Sequence, residues 1–313
     1  MNPTASRRLR ANLLLLLASA IWGFAFVAQR VGAESVNAFT FNAARFALGA
    51  VALVPVVWWL DRHRKVPRPI RALATRAAVL PGLIAGALLA TAVGLQQVAM
   101  SHTTTGNAAF ITGLYMVVVP ILAAFRGHRS SWTTVAGIGL ALVGLYFVAI
   151  RDDFSIGFGD AIVLVSTIPW ALQILVVEHY AKRVSALRFS ISQFLWCAAI
   201  SALAAPVLDA RPFAGIGEGL IPLLYGGLLA VAVAYTLQVV AQRDALASHA
   251  ALIMSSESVF GALGGALLLS ESMGVRGYFG AALMAAGIAL TQWRVDAAQP
   301  PAVAKDGALR SLT

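Results

Sequence analysis

The chain has 313 residues, 59% of them hydrophobic and only 12% charged, about half the charged share of an ordinary soluble domain. Water cannot solvate so much apolar surface, which excludes a soluble globular fold and leaves the bilayer as the natural solvent. A net charge of +10 raises the question of a nucleic-acid partner, but the basic residues collect in alternate loops. That is a topology signal and not a binding patch, so no nucleic acid is expected.

Ten apolar segments of about 20 residues, each long enough to span a hydrocarbon core, follow one another along the chain. The first, 11–32, is preceded by Arg7, Arg8 and Arg10 and contains Ala18-Ser19-Ala20, a triplet like those cut by signal peptidases. Its apolar character continues past Ala28, and cleavage would remove the first unit of the repeat described below, so it reads as a span. Ser19, Trp22, Phe26 and Gln29 recur three or four residues apart and share one helix face. The second segment, 37–60, carries the charged Arg45, and the third, 77–98, carries Gly82-x-x-x-Gly86, a spacing for close helix contact. In the fourth, 103–125, Asn107 lies two turns before Tyr115. The fifth, 131–150, contains Gly137 and Gly144.

The sixth segment, 158–180, presents Ser166, Pro169 or Trp170, Gln173 and Tyr180 on one face. Pro169 lacks a backbone donor and is expected to loosen its helix, as happens where a helix lines a cavity. The seventh, 188–208, holds the single cysteine, Cys197, which has no intrachain partner and reads as packing. Tyr235, Gln238 and Gln242 form a face in the eighth, 220–241. The ninth, 248–269, carries Ser256, Glu257 and Gly261-x-x-x-Gly265, and the tenth, 275–294, carries Gly280 and Gly287. Trp58, Trp59, Trp132 and Trp293 stand near span ends, where tryptophan anchors at the interface.

Of the 23 Lys and Arg residues, 18 lie in the N-terminal segment, the loops after even-numbered spans and the C-terminal tail. Four, Arg30, Arg151, Arg211 and Arg276, lie on the opposite side, and Arg45 lies within a span. The positive-inside rule then places both termini, 1–10 and 295–313, in the cytoplasm of a bacterial-type inner membrane. The basic run from Arg62 to Arg76 is explained by topology alone, with contact to anionic lipid as an alternative.

The chain also matches itself. Trp22, Phe41 and Phe46 align with Trp170, Phe189 and Phe194 at an offset of 148, and Gly86 to Val93 aligns with Gly226 to Val233 at 140, six of eight residues being identical. Ala108-Ala109 then falls on Ala250-Ala251, and Gly137 and Gly144 fall on Gly280 and Gly287. Two repeats are expected, 11–150 and 158–294, each of five spans. An odd number of crossings per repeat inverts the second half relative to the first. The expected fold is therefore all-α and integral to the membrane, about ten helices in two inverted five-helix repeats. Such halves can exchange roles and open a central site to each side in turn.

Ionisable groups within spans are costly unless paired or hydrated, which singles out Arg45 and Glu257. Counted along their helices, each lies roughly 12 to 15 Å deep, from opposite sides. Arg45 either ties down neighbouring helix carbonyls or contacts a solute. Glu257, held away from bulk water, suits proton coupling. With Trp22, Phe26, Gln29, Asn107, Tyr115, Trp170, Gln173, Tyr235, Gln238 and Ser256, these residues make a candidate polar and aromatic pocket for a small solute, with membrane lipid as the other partner. No cofactor or metal is expected: the five histidines include no HExxH pair, and neither GxSxG nor GxxxxGK occurs. A membrane-embedded enzyme and a channel are the competing classes. The first lacks a nucleophile and base, and the second lacks a continuous polar path.

Several local patterns resemble the drug/metabolite transporter superfamily, in particular the ten-span EamA-type permeases, from about Asn12 to Trp293. They are Trp22-Gly23, Arg45-Phe46, the stretch from Gly106 through Asn107 and Gly113 to Tyr115 and Pro120, and Glu257 and Glu271 bracketing the ninth span. The resemblance implies a ten-helix inverted repeat that exports a small metabolite, an amino acid or a drug-like solute. Two positions depart from the pattern. His128 stands where such permeases carry a glutamate, and Ser258 stands where a proline commonly follows the ninth-span glutamate.

Overall fold

A computed structural model describes residues 3–125, 127, 131–149, 157–269 and 275–293. His128, Arg151, Glu271 and the segment 295–313 lie outside them. The described residues form helices and turns and no strand, as lipid requires of apolar segments that must satisfy their backbone groups internally. Eight crossings are long and apolar: Ser6–Gly32, Ala38–His63, Arg68–Ala99, Thr105–Phe125, Phe158–Ala181, Ala186–Leu208, Leu220–Ala241 and Ala247–Leu268. The fifth and tenth are the shorter helices Trp132–Ala149 and Val275–Trp293. The chain is an all-α membrane protein of two inverted five-span repeats.

The third span differs from expectation at its start. It begins at Arg68, after Pro67 at the cap, with a proline in its first turn, a position that proline's fixed φ favours. Much of the basic run expected as a loop is therefore helix, and the chain reverses at Lys65, whose φ is +50°.

Packing follows the internal repeat. The fifth and tenth spans meet through their glycines. A Cβ on Gly144 would lie 2.5 Å from the Gly280 carbonyl oxygen, and one on Gly287 would lie 2.6 Å from that of Gly137. Because Gly144 is the counterpart of Gly287 and Gly137 that of Gly280, the contact is reciprocal, like the interface of a two-fold dimer. Phe46 and Phe194, also counterparts, meet each other at 6.1 Å between ring centroids, so the pseudo-axis passes between the second and seventh spans. Gly82 and Gly86 seat the third span on Ser192, Gln193 and Trp196 of the seventh, the close contact their spacing predicts. Trp58, Trp59 and Trp132 are exposed on the outside of the bundle, as anchors should be.

Three spans are irregular. The fourth is Thr105–Gly113 and Tyr115–Phe125, interrupted at Leu114, whose N–H donates to the Ile111 carbonyl at 3.1 Å and whose carbonyl accepts from Val117 N at 2.9 Å. The ninth is Ala247–Met254 and Glu257–Leu268, interrupted at Ser255 and Ser256, with Ser256 N to Ile253 O at 3.1 Å and Val259 N to Ser256 O at 3.0 Å. Both interruptions tighten the helix to three-residue steps. They fall on equivalent residues, because the register of Ala108 on Ala250 puts Leu114 on Ser256 and Tyr115 on Glu257. The eighth span runs as a π-helix from Tyr225 to Tyr235 between α-helical ends. Pro169, expected to loosen the sixth span, sits in an unbroken helix, Phe158–Ala181. The loosened backbone lies in the fourth, eighth and ninth spans instead.

Candidate functional site

The two interruptions and the π segment converge on one internal cavity. Its walls come from both halves: Trp22, Phe26 and Gln29 of the first span, Arg45 of the second, Gln96 of the third, Thr112 and Tyr115 of the fourth, Trp170 and Ile174 of the sixth, Tyr235 and Gln238 of the eighth, and Met254 and Glu257 of the ninth. The cavity measures about 40 Å³, room for about three waters at 10 to 15 Å³ each. That free space is smaller than an organic solute.

Aromatic rings form its centre. Tyr235 packs against Trp22 at 4.7 Å and lies parallel to Trp170 at 6.1 Å, with 7° between the ring planes. Both indoles are held by hydrogen bonds. Trp22 Nε1 donates to the Ala230 carbonyl at 3.1 Å, on the π segment, and Trp170 Nε1 donates to Gln96 Oε1 at 3.0 Å.

Glutamine pairs flank the rings symmetrically. Gln96 Nε2 donates to Gln29 Oε1 at 3.3 Å between the first and third spans, and Gln238 Nε2 donates to Gln173 Oε1 at 3.2 Å between their counterparts, the sixth and eighth. Gln173 in turn donates to Gln193 Oε1 at 3.3 Å. Each half thus carries a polar strut beside its tryptophan.

Two ionisable groups, Arg45 and Glu257, line the cavity. The Arg45 guanidinium carbon lies 5.2 Å from the ring centroids of both Phe41 and Phe46, a cation–π setting that stabilises a desolvated cation. Among the described residues Arg45 Nε makes no hydrogen bond. The Tyr115 hydroxyl stands beside the Glu257 carboxylate and interacts with it electrostatically, while among the described residues Tyr115 Oη and Glu257 Oε1 fall outside hydrogen-bond geometry with any partner. Thr112 Oγ1 and Gln238 Oε1 are likewise buried and unpartnered. Among the described residues Arg45 and Glu257 form no ion pair. Unpaired buried polar atoms are expensive in a packed interior; those of Arg45, Thr112, Tyr115, Gln238 and Glu257 belong to residues that line this cavity, while others, on Asn42, Ser190 and Thr236 among them, lie outside it.

Not every residue expected in the pocket lines it. Asn107 sits at the start of the fourth span, where its backbone N–H donates to Thr104 Oγ1 and its amide reaches Asp160 Oδ1 at 3.5 Å. The interruption at Leu114 separates its half-helix from that of Tyr115. Gln173 is buried behind the lining within the glutamine strut, and Ser256 is engaged with Ser19 Oγ at 3.0 Å and the Ile253 carbonyl. Conversely, Gln96, Thr112, Ile174 and Met254 line the cavity without having been singled out. Gln96 had a usable signal, since its neighbour Gln97 made it part of a polar pair in an apolar span.

Comparison with known proteins agrees with this architecture. The sequence profile of the EamA-like transporter family matches twice, over residues 9–150 and 157–293. An uncharacterized transporter of Archaeoglobus fulgidus is 28% identical over 293 residues, covering 92% of this chain and 88% of the relative. The uncharacterized transporter YoaV of Bacillus subtilis is 21% identical over 285 residues, covering 89% and 95% respectively. A solved crystal structure of 17% identity superposes with a TM-score of 0.73, over 90% of this chain and 96% of the other, and shares the fold. The matching profile spans nearly the whole chain in two copies, so this multi-pass, non-enzymatic membrane transporter belongs to the EamA-like transporter family.

Proposed function

We propose that the protein is a secondary transporter that exports a small metabolite, an amino acid or a drug-like solute, by alternating access of its two repeats, residues 11–150 and 158–294. Both termini, including 1–10 and 295–313, then face the cytoplasm of a bacterial-type inner membrane, on the side carrying most of the Lys and Arg. The solute occupies the cavity between Trp22, Phe26, Gln29, Arg45, Tyr115, Trp170, Tyr235 and Gln238. Arg45 supplies donors to an anionic group, and the stacked rings of Trp170 and Tyr235 supply a flat apolar wall. The cavity is too small for such a solute as it stands, which suits a closed intermediate that widens toward one face at a time.

Glu257 is assigned proton coupling. The observation that carries this reading is the buried Glu257 carboxylate, with Oε1 unpartnered by protein, on the wall of a cavity shared by both repeats. A carboxyl group there can hold a proton or release it as the cavity opens to either side. The first residue after the interruption in the fourth span is Tyr115, and its counterpart in the ninth is Glu257, so each repeat presents one protonatable group from the same position.

The test is flux in liposomes under an imposed pH gradient, after a thermal-shift screen of amino acids, sugars and cationic drugs has found a solute. Glu257→Gln keeps the shape and is expected to abolish proton-driven flux while leaving solute binding and the melting transition in place. Undiminished pH-driven flux in that variant would remove Glu257 from the mechanism.

A further inference from the structure

A second cavity lies away from the first, on the outside of the bundle, where the second, third and seventh spans reach the basic face. It measures about 810 Å³, within the range of ligand-sized pockets. Its composition is divided along its length. Asp61, Arg71, Thr75 and Arg188 stand at the end near the basic loops, and apart from Ser192 the rest is lined by apolar side chains such as Val54, Trp58, Leu195 and Trp196. Measured along the helices from Asp61 to Val54 and from Arg188 to Ala199, the apolar part continues roughly 10 to 16 Å into the membrane.

The charge at the polar end is unbalanced. Arg188 Nη2 donates to both oxygens of Asp61, at 2.9 and 2.7 Å, and Arg71 Nε lies 3.8 Å from the same carboxylate. One carboxylate thus serves two guanidinium groups. Arg71 spends its better hydrogen bonds on carbonyls, Nε to Val66 O at 2.7 Å and Nη2 to Asp61 O at 3.3 Å. Arg62 adds a third cation at the rim, stacked on Trp58 at 3.7 Å, and Arg64, Lys65, Arg68 and Arg76 follow in sequence. The apolar walls remain open. Val54 is 53%, Trp58 51% and Leu195 51% exposed.

We propose that this groove is a binding site for one anionic phospholipid. The phosphate sits against Arg71 and Arg188, and an acyl chain lies along Val54, Leu195 and Trp196, with Trp58 at the level of the glycerol backbone. A lipid is the occupant that joins both halves of the groove: an anion at interface depth covalently attached to hydrocarbon that descends between helices. A soluble anion would leave the apolar walls uncovered, and a zwitterionic lipid would set its own cation against the arginines. Basic pockets between transmembrane helices are suited to anionic headgroups on these grounds. The site spans both repeats, because Arg188 belongs to the second and Arg71 to the first, and its lining shares no residue with the solute cavity.

Quenching of tryptophan fluorescence by brominated lipid reads this site directly. The protein is placed in phosphatidylcholine nanodiscs containing a low mole fraction of either brominated phosphatidylglycerol or brominated phosphatidylcholine. The difference between wild type and the Trp58→Phe/Trp196→Phe double variant isolates the groove. Quenching by the anionic lipid is expected to exceed that by the zwitterionic lipid severalfold. Arg71→Gln should lower the preference about fivefold, as loss of one basic side chain at a lipid surface does. Equal quenching by the two lipids, or relief of the quenching by soluble glycerol phosphate, would overturn the assignment. Melting curves of the variants separate a lost site from a lost fold.

Discussion

The second and seventh spans are counterparts that lie against each other, and each end of the pair is clasped by an aspartate. At the basic face Asp61, at the end of the second span, meets Arg188 in the first turn of the seventh. At the opposite face Asp209, which follows the seventh span, meets the first turn of the second: Oδ1 accepts from Phe39 N at 3.1 Å, and Oδ2 accepts from Thr40 N and Thr40 Oγ1, both at 2.7 Å. An offset of 148 carries Asp61 onto Asp209 and Thr40 onto Arg188, so the two clasps are one arrangement used twice. Their chemistry differs. A guanidinium neutralises the carboxylate where basic residues are abundant. Where they are scarce, the helix N-terminus does so with backbone donors and its positive dipole end. An inverted repeat must build the same joint on both sides of a membrane whose charge rules differ, and here the carboxylate stays while its partner changes.

That comparison can be broken at either end. Arg188→Glu sets two carboxylates against each other at side chains only 13% exposed, and should destabilise the fold by about 3 kcal/mol, near the lower end for breaking a buried pair because some solvent screening persists. Thermal melting in detergent measures this, and the swap Asp61→Arg/Arg188→Asp should recover part of it, the remainder being lost because Arg71 then faces a guanidinium instead of a carboxylate. A swap no better than the single variant would show that charge complementarity is not what holds this end.

Asp209→Ala strips the first turn of the second span of its acceptor and should cost about 2 kcal/mol, the upper end for a lost helix cap. Here a reverse-charge rescue has nothing to act on, because the partners are two backbone amides and the Thr40 hydroxyl, all neutral. The smallest effect belongs to Thr40→Val. It removes the hydroxyl that donates to Asp209 and accepts from Phe213 N at 2.9 Å, leaves both backbone bonds to Asp209 intact, and should cost about 1 kcal/mol. If Thr40→Val matched Asp209→Ala in melting, the hydroxyl and not the helix terminus would be the true partner of that carboxylate.

The course of the chain through the membrane was readable because a run of about 20 apolar residues has few alternatives in lipid, and the second half could be aligned with the first because Trp22, Phe41 and Phe46 recur at one spacing. Residues such as Glu257, Arg45, Trp22 and Trp170 stood out for the same reason: bulky polar or charged groups in an apolar span must face something. Helix irregularity was not readable. The fourth span breaks at Leu114, before Pro120, and the sixth stays regular through Pro169, so proline was a poor guide to where backbone geometry departs from α. The grouping of Asn107 with Tyr115 assumed an unbroken helix and failed at that interruption. The clasps were missed although both aspartates were visible, since a carboxylate at a span end looks like an ordinary solvated residue until its counterpart 148 positions away is noticed.

The mutual glycine contact of the fifth and tenth spans has a consequence for how such a chain arises and how it can be divided. A surface that recognises its own copy is what two identical subunits would need to associate, and joining them end to end preserves it within a single polypeptide. The halves, expressed as separate polypeptides, should therefore still find each other in the bilayer through Gly137, Gly144, Gly280 and Gly287, and a bulky residue at Gly144 should prevent that reunion.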